Sequence, residues 1–185
     1  DMHDGIGGQL ISVVTMLQEH TGEIFSSVRD KVSLSLADLR FVIDSLDPTL
    51  NDLPTLLGMM RLCLSEQLEA ANIALEWDVT ELPELSDMSP QRSLHIMRIV
   101  QEAITNGIKH SGSDRMKLST RIESTRGRFI CIDILDYGKG YSPSENGKKM
   151  GRGISNMKFR ASQIGGKLEF DCDGKGNRVR LALPF

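Results

Sequence analysis

With 185 residues, 39% hydrophobic and 25% charged, the chain can hold one good core or two small ones, and no apolar run approaches the roughly 18–20 residues that cross a bilayer. The net charge of −3 hides a split: residues 1–100 carry 6 Lys and Arg against 16 Asp and Glu (−10), whereas residues 101–185 carry 16 against 9 (+7). A basic half suits an anionic ligand such as a phosphate, while aromatics at 5% supply few stacking platforms and argue against nucleic acid.

From the start of the chain, Ile6, Leu10, Val13, Val14 and Leu17 recur at helical spacing. Thr21-Gly22 interrupts the pattern, and Ile24, Val28, Val32, Leu36, Leu39, Ile43 and Leu46 resume it before Asp47-Pro48. Two short helices whose apolar stripes have nothing local to bury them predict a hairpin that dimerises through residues 1–46 into a four-helix bundle. Packing of the hairpin on the rest of the chain is the alternative. The best boundary lies between Asp47-Pro48 and Asp52, giving domains over 1–48 and 52–185.

Asp52 caps a predicted helix over 53–71, with Pro54 in its first turn. Residues 73–79 read as a strand, and Ser89-Pro90 opens a helix that ends near His110-Ser111-Gly112. Paired strands over 116–123 and 128–136 flank Thr125-Arg126-Gly127. A loop rich in Gly and Lys covers 138–152, a helix runs on to about Ile164, and strands over 167–172 and 178–183 close the chain around Asp173-Gly174-Lys175-Gly176. Helices and strands that do not alternate strictly predict an α+β fold: the helical hairpin, then an α/β sandwich with one mixed sheet covered on one face. Trp77 and methionines such as Met59 and Met60 are expected in the core, His20 on the surface and His95 in helix packing. Cys63, Cys131 and Cys172 lie far apart with no CxxC pair, which argues against disulfides or zinc and for a cytoplasmic setting.

Four features carry chemistry. Arg98, Glu102, Asn106 and Lys109 form one polar stripe of the helix over 89–110, where Asn106 offers a hard oxygen to magnesium and Lys109 a charge to phosphate; a solvated face with an ordinary ion pair is the plain alternative. The apolar strand ending in Asp136 runs into Gly138 and Gly140, so a carboxylate able to accept from an exocyclic amine such as adenine's stands beside glycines that admit a flat ring. Gly151 and Gly153 precede a helix whose bare amides suit phosphate. Gly174 and Gly176 suit a hairpin turn or a ligand contact equally.

The series QEAITNGIKHS (101–111), DYGKG (136–140), GRGISNMKFRA (151–161) and GKGNRVRLALPF (174–185) resembles the ATP-binding domain of sensor histidine kinases, a fold shared with gyrase-type ATPases. The opening HDGIGGQL resembles the phosphoacceptor motif of the class that includes nitrate and membrane-fluidity sensors. The resemblance implies ATP and Mg2+ as cofactors, His3 as the phosphorylated imidazole and Asp4 as its hydrogen-bonding neighbour. It implies Asn106 as a magnesium ligand and Glu102 as the group that orients the metal's water or assists transfer. Lys109 and His110 would approach the phosphates, Asp136 would read adenine with Gly138 and Gly140 lining the pocket, and Gly151 and Gly153 would border a lid. Partners would be a second copy and the receiver domain of a response regulator, with no membrane contact in this segment. A serine/threonine kinase of the anti-sigma type, or a nucleotide-sensing dimer scaffold, uses the same ATP fold. The chain departs from the pattern twice. Gly8 stands where the family has a Gln linked to phosphatase activity, with Gln9 one residue later. Asn177 stands where the family usually has a Thr near adenine, a cofactor-binding place in which an amide can still bond to a water or ring nitrogen.

Overall fold

The computed structural model describes residues 52–85, 87–124, 127–138, 152–172 and 176–185, with the single positions Ser12, Thr15, Met16, Val28 and Val32. These single positions are helical; the rest of the expected hairpin and its dimer interface lie outside the described residues, as do His3, Asp4, Gly8, Gln9, Gly140 and Gly151. The chain divides into two units, Asp1–Leu50 and Asn51–Phe185, and the second is described below.

Helix α1 (Leu53–Ala70) starts where the Asp52 carboxylate accepts from the Thr55 amide at 2.7 Å and the Thr55 hydroxyl at 2.8 Å, satisfying a donor that the first turn leaves open. Its buried stripe is Leu53, Leu56, Leu57, Met60, Leu64 and Leu68, at helical spacing; burial of each such side chain stabilises the fold by about 2 kcal/mol. Asn72, with φ 54°, turns the chain into strand β1 (Ala74–Asp78). Helix α2 (Pro90–His110) is capped by Ser89, whose side chain accepts from the Arg92 amide at 3.2 Å. Strands β2 (Arg115–Glu123) and β3 (Phe129–Asp136), helix α3 (Arg152–Gln163) and strands β4 (Lys167–Cys172) and β5 (Asn177–Pro184) complete the unit.

The strands form one sheet in the order β1-β2-β3-β5-β4, with β1 parallel to β2 and the other neighbours antiparallel. Side chains alternate across a sheet, so the register places Met116, Leu118 and Thr120 with Ile130, Ile132 and Ile134 and with Leu181 and Leu183 on one face, and all are buried. The helices pack on that face, as the sequence predicts: α1 reaches β1, α2 reaches β3, and α3 reaches β4. Trp77 departs from its expected burial. It is half-exposed, with the Arg61 guanidinium 5.4 Å from its ring centre.

The opposite face is charged. Arg180 donates to both oxygens of the buried Asp133, at 2.7 and 3.3 Å, and Arg121 stands 3.6 Å from the same carboxylate. Lys117 bridges to Asp78 at 2.9 Å. Burial pushes the thiol of Cys131, which lies on this face, up from its ordinary range. Part of the positive balance of residues 101–185 therefore belongs to a sheet surface rather than to a phosphate site.

His95 on α2 is half-buried, and its Nδ1 has no hydrogen-bond partner among the described residues. Burial first, then the charge of Arg160 on α3, lowers its pKa below the ordinary 6.5. Folding keeps the ring neutral where the unfolded chain would protonate it. The unfolded state then binds more protons, and stability is lost as pH falls through 6.5 toward the folded pKa. The fall in Tm between about pH 7.5 and about pH 5.5 should be smaller in His95→Gln than in the unaltered protein. Equal falls would remove His95 from the pH response.

Candidate nucleotide-binding site

Strand β3 carries its isoleucines toward the helices and delivers Asp136, two residues beyond Ile134, to the same face at the strand's end. There the carboxylate is buried and surrounded by donors. Its Oδ1 accepts from the Gly138 amide at 3.0 Å, from the Asn177 amide at 3.4 Å and from Asn177 Nδ2 at 3.2 Å, and its Oδ2 accepts from the same Nδ2 at 3.1 Å. Two glycines make this seat possible. A Cβ at Gly138 would collide with the Ser111 carbonyl at the end of α2, and one at Gly176, where φ is +148°, would collide with the carbonyl of Asp136 itself.

Helix α2 supplies the facing wall. Gly107 lies against Asp136, and Glu102 stands five residues earlier, about 7.5 Å back along the helix axis. Asn106 donates its side-chain nitrogen to Glu102 at 3.4 Å, which leaves the amide oxygen to serve a hard cation. Glu102 also reaches the first turn of α3, where its Oε1 lies so close to Gly153 that a Cβ there would displace it; a carboxylate is favoured at that positive helix end.

Between these elements lies a cavity of about 820 Å³, a size that suits a small-molecule ligand. Glu102, Asn106, His110, Asp136, Gly153 and Asn177 all line it, so the structure brings together six of the positions singled out in the sequence. Gly138 joins them through its hydrogen bond to Asp136. Lys109 is exposed and is not among the lining residues. Gly153 meets Glu102 rather than an open phosphate site. The sequence reading missed the apolar walls, Ile154 and Met157 from α3, Phe170 from β4 and Val179 from β5. The alternation of Leu168, Phe170 and Cys172 in β4 held the signal, because it sets Phe170 on the helix-covered face. Strands β4 and β5 pair antiparallel, with Cys172 opposite Asn177, and Gly174 lies outside the described residues.

Residues 91–185 match the histidine kinase-, DNA gyrase B-, and HSP90-like ATPase family. The chain belongs to that family. Among curated relatives, the sensor histidine kinase LiaS of Bacillus subtilis is 27% identical over all of this chain and 52% of its own length. The histidine-protein kinase/phosphatase UhpB of Salmonella typhimurium is 28% identical over all of this chain and 37% of its own. The chain thus spans about half or less of these relatives. Solved structures share the fold: the blue-light activated histidine kinase of Erythrobacter litoralis at a TM-score of 0.66 and 17% identity, covering 99% of this chain and 58% of that one, and the Acinetobacter baumannii histidine kinase AdeS at 0.62 and 18%, covering 95% and 96%. No helix among the described residues is long and apolar enough to cross a membrane.

Proposed function

We propose that the chain is the catalytic core of a protein-histidine kinase, which binds ATP with Mg2+ in the cavity, phosphorylates His3 and passes the phosphoryl group to an aspartate of a response regulator. The observation that carries this reading is the placing of a buried acceptor, Asp136, and the Glu102–Asn106 pair on facing walls of one cavity. Asp136 accepts from the adenine amine between the apolar walls, and His110 serves the phosphates. The residues fit magnesium through Asn106: the bound ion would be held by that amide oxygen and the nucleotide's own phosphates, and it would neutralise charge on the transferring group.

In the first step one imidazole nitrogen of His3 attacks the γ-phosphorus, the bond to the β–γ bridging oxygen breaks and ADP leaves, while Asp4 holds the proton on the other ring nitrogen. In the second step a receiver aspartate oxygen attacks the same phosphorus, the N–P bond breaks and the imidazole recovers its lone pair. The dimer forms through residues 1–46, the regulator docks on that hairpin, and this portion works in the cytoplasm. The relatives' names support this reading over an anti-sigma kinase or a silent scaffold. Incubation with γ-labelled ATP should yield an acid-labile, base-stable label that His3→Gln abolishes. Lack of label in a sample that binds ADP, or acid-stable label on a partner protein, overturns the reading.

A further inference from the structure

Asp136 and Asn177 are directly paired across β3 and β5, and both side chains project to the helix-covered face, where they line the cavity. The asparagine side chain forms a fork under the carboxylate: one nitrogen, Nδ2, donates to Oδ1 at 3.2 Å and to Oδ2 at 3.1 Å. The Asn177 and Gly138 backbone amides add to Oδ1 alone, at 3.4 and 3.0 Å. Among the described residues, Oδ1 therefore meets three donors and Oδ2 one. A carboxylate oxygen has about two lone-pair sites, so Oδ2 is the oxygen with capacity left for a ligand's N–H.

We infer that Asn177 is a positioning residue that fixes the plane of the Asp136 carboxylate and leaves Oδ2 as the acceptor for the 6-amino group of adenine, so that preference for a 6-amino over a 6-oxo purine depends on its side-chain amide. The inference rests on the nucleotide reading above and deepens it. A carboxylate held only by the two backbone amides can rotate about its last bond and present either oxygen, or neither, to the base. With Nδ2 beneath both oxygens, rotation breaks two hydrogen bonds at once. A hypoxanthine base brings a carbonyl oxygen to the same place and meets the Oδ2 lone pair, a repulsion that bites only while that oxygen is held there.

The test measures ADP and inosine diphosphate binding by calorimetry, with Tm recorded for each variant. The unaltered protein should prefer ADP by tenfold or more. Asn177→Ala should lose about tenfold in ADP affinity with little change for inosine diphosphate, collapsing the ratio. Asn177→Asp, nearly the same shape, sets a second carboxylate against the first; its ADP affinity should fall at neutral pH and recover partly as pH is lowered. An unchanged ratio in Asn177→Ala, or an equal loss for both nucleotides, overturns the positioning role. If Asn177→Ala does not fold, full ADP affinity at neutral pH in Asn177→Asp overturns it instead. Absence of ADP binding in the unaltered protein is a separate outcome that removes the nucleotide reading itself.

Discussion

Replacing Asp136 by asparagine is expected to weaken ADP binding about 100-fold, the equivalent of about 3 kcal/mol, while the fold persists. The substitution keeps the shape and removes half of the acceptor capacity. The new amide oxygen must stay with the Gly138 and Asn177 backbone amides, which are held by the strand ends and cannot turn away. The new amide nitrogen then takes the place of Oδ2. There it meets Asn177 Nδ2, now 3.1 Å from that oxygen, and it meets the incoming adenine amine, so donor faces donor on both sides. Flipping the new amide only moves the conflict to the backbone donors. Because the site is buried, water does not relieve either conflict. Calorimetric titration with ADP measures the effect, and a Tm within a few degrees of the unaltered protein separates lost recognition from lost structure. A change below about threefold would mean that Asp136 is a structural residue of the β3–β5 end and not the base reader.

Much of this arrangement was legible from the chain alone, for reasons that differ by element. Helices α1 and α2 announce themselves because their start signals are local chemistry: Asp52 and Ser89 cap through bonds to residues three positions on, and no distant contact is needed to read them. Strand β3 is equally plain as a strand, since its apolar run is local; the carboxylate and two glycines that end it gain meaning only beside the other motifs, because many turns look alike. The function of single polar residues is harder to read, because it depends on partners that only the sheet register brings near. Asn177 reads in sequence as a residue near the adenine, but its pairing with Asp136, 41 positions away, comes only from the register. Lys109 shows the reverse. It shares the stripe of Glu102 and Asn106, but it falls in the last turn of α2, exposed and beyond the lining of the cavity. Net charge misleads for a related reason: composition counts Arg121 and Arg180 toward the phosphate-binding half, and the register turns both to the far face of the sheet.

That far face supplies the largest expected effect on stability. Asp133→Val should cost about 3–5 kcal/mol, because it leaves the Arg180 guanidinium, whose side chain is only 13% exposed, with no carboxylate nearer than the exposed Glu169 at 4.0 Å. The reciprocal change, Arg180→Met, should cost less. Asp133 keeps Arg121 at 3.6 Å, and a thioether chain fills the volume that the arginine stem occupied. The double variant Asp133→Val with Arg180→Met should recover most of the loss, since a pair of apolar groups in the same space carries no buried charge to desolvate. Urea unfolding of the four proteins closes the cycle, and additive costs would show that the bidentate contact contributes no coupling. ADP affinity should be unchanged throughout, because the alternation of side chains along β3 puts Asp133 on the face opposite Asp136. A variant that lost stability and nucleotide binding together, while still folded at the temperature of measurement, would show that the two faces of β3 are mechanically coupled. The strand would then act as a lever between the charged surface and the cavity, and the separation of roles argued from its two-residue period would not hold.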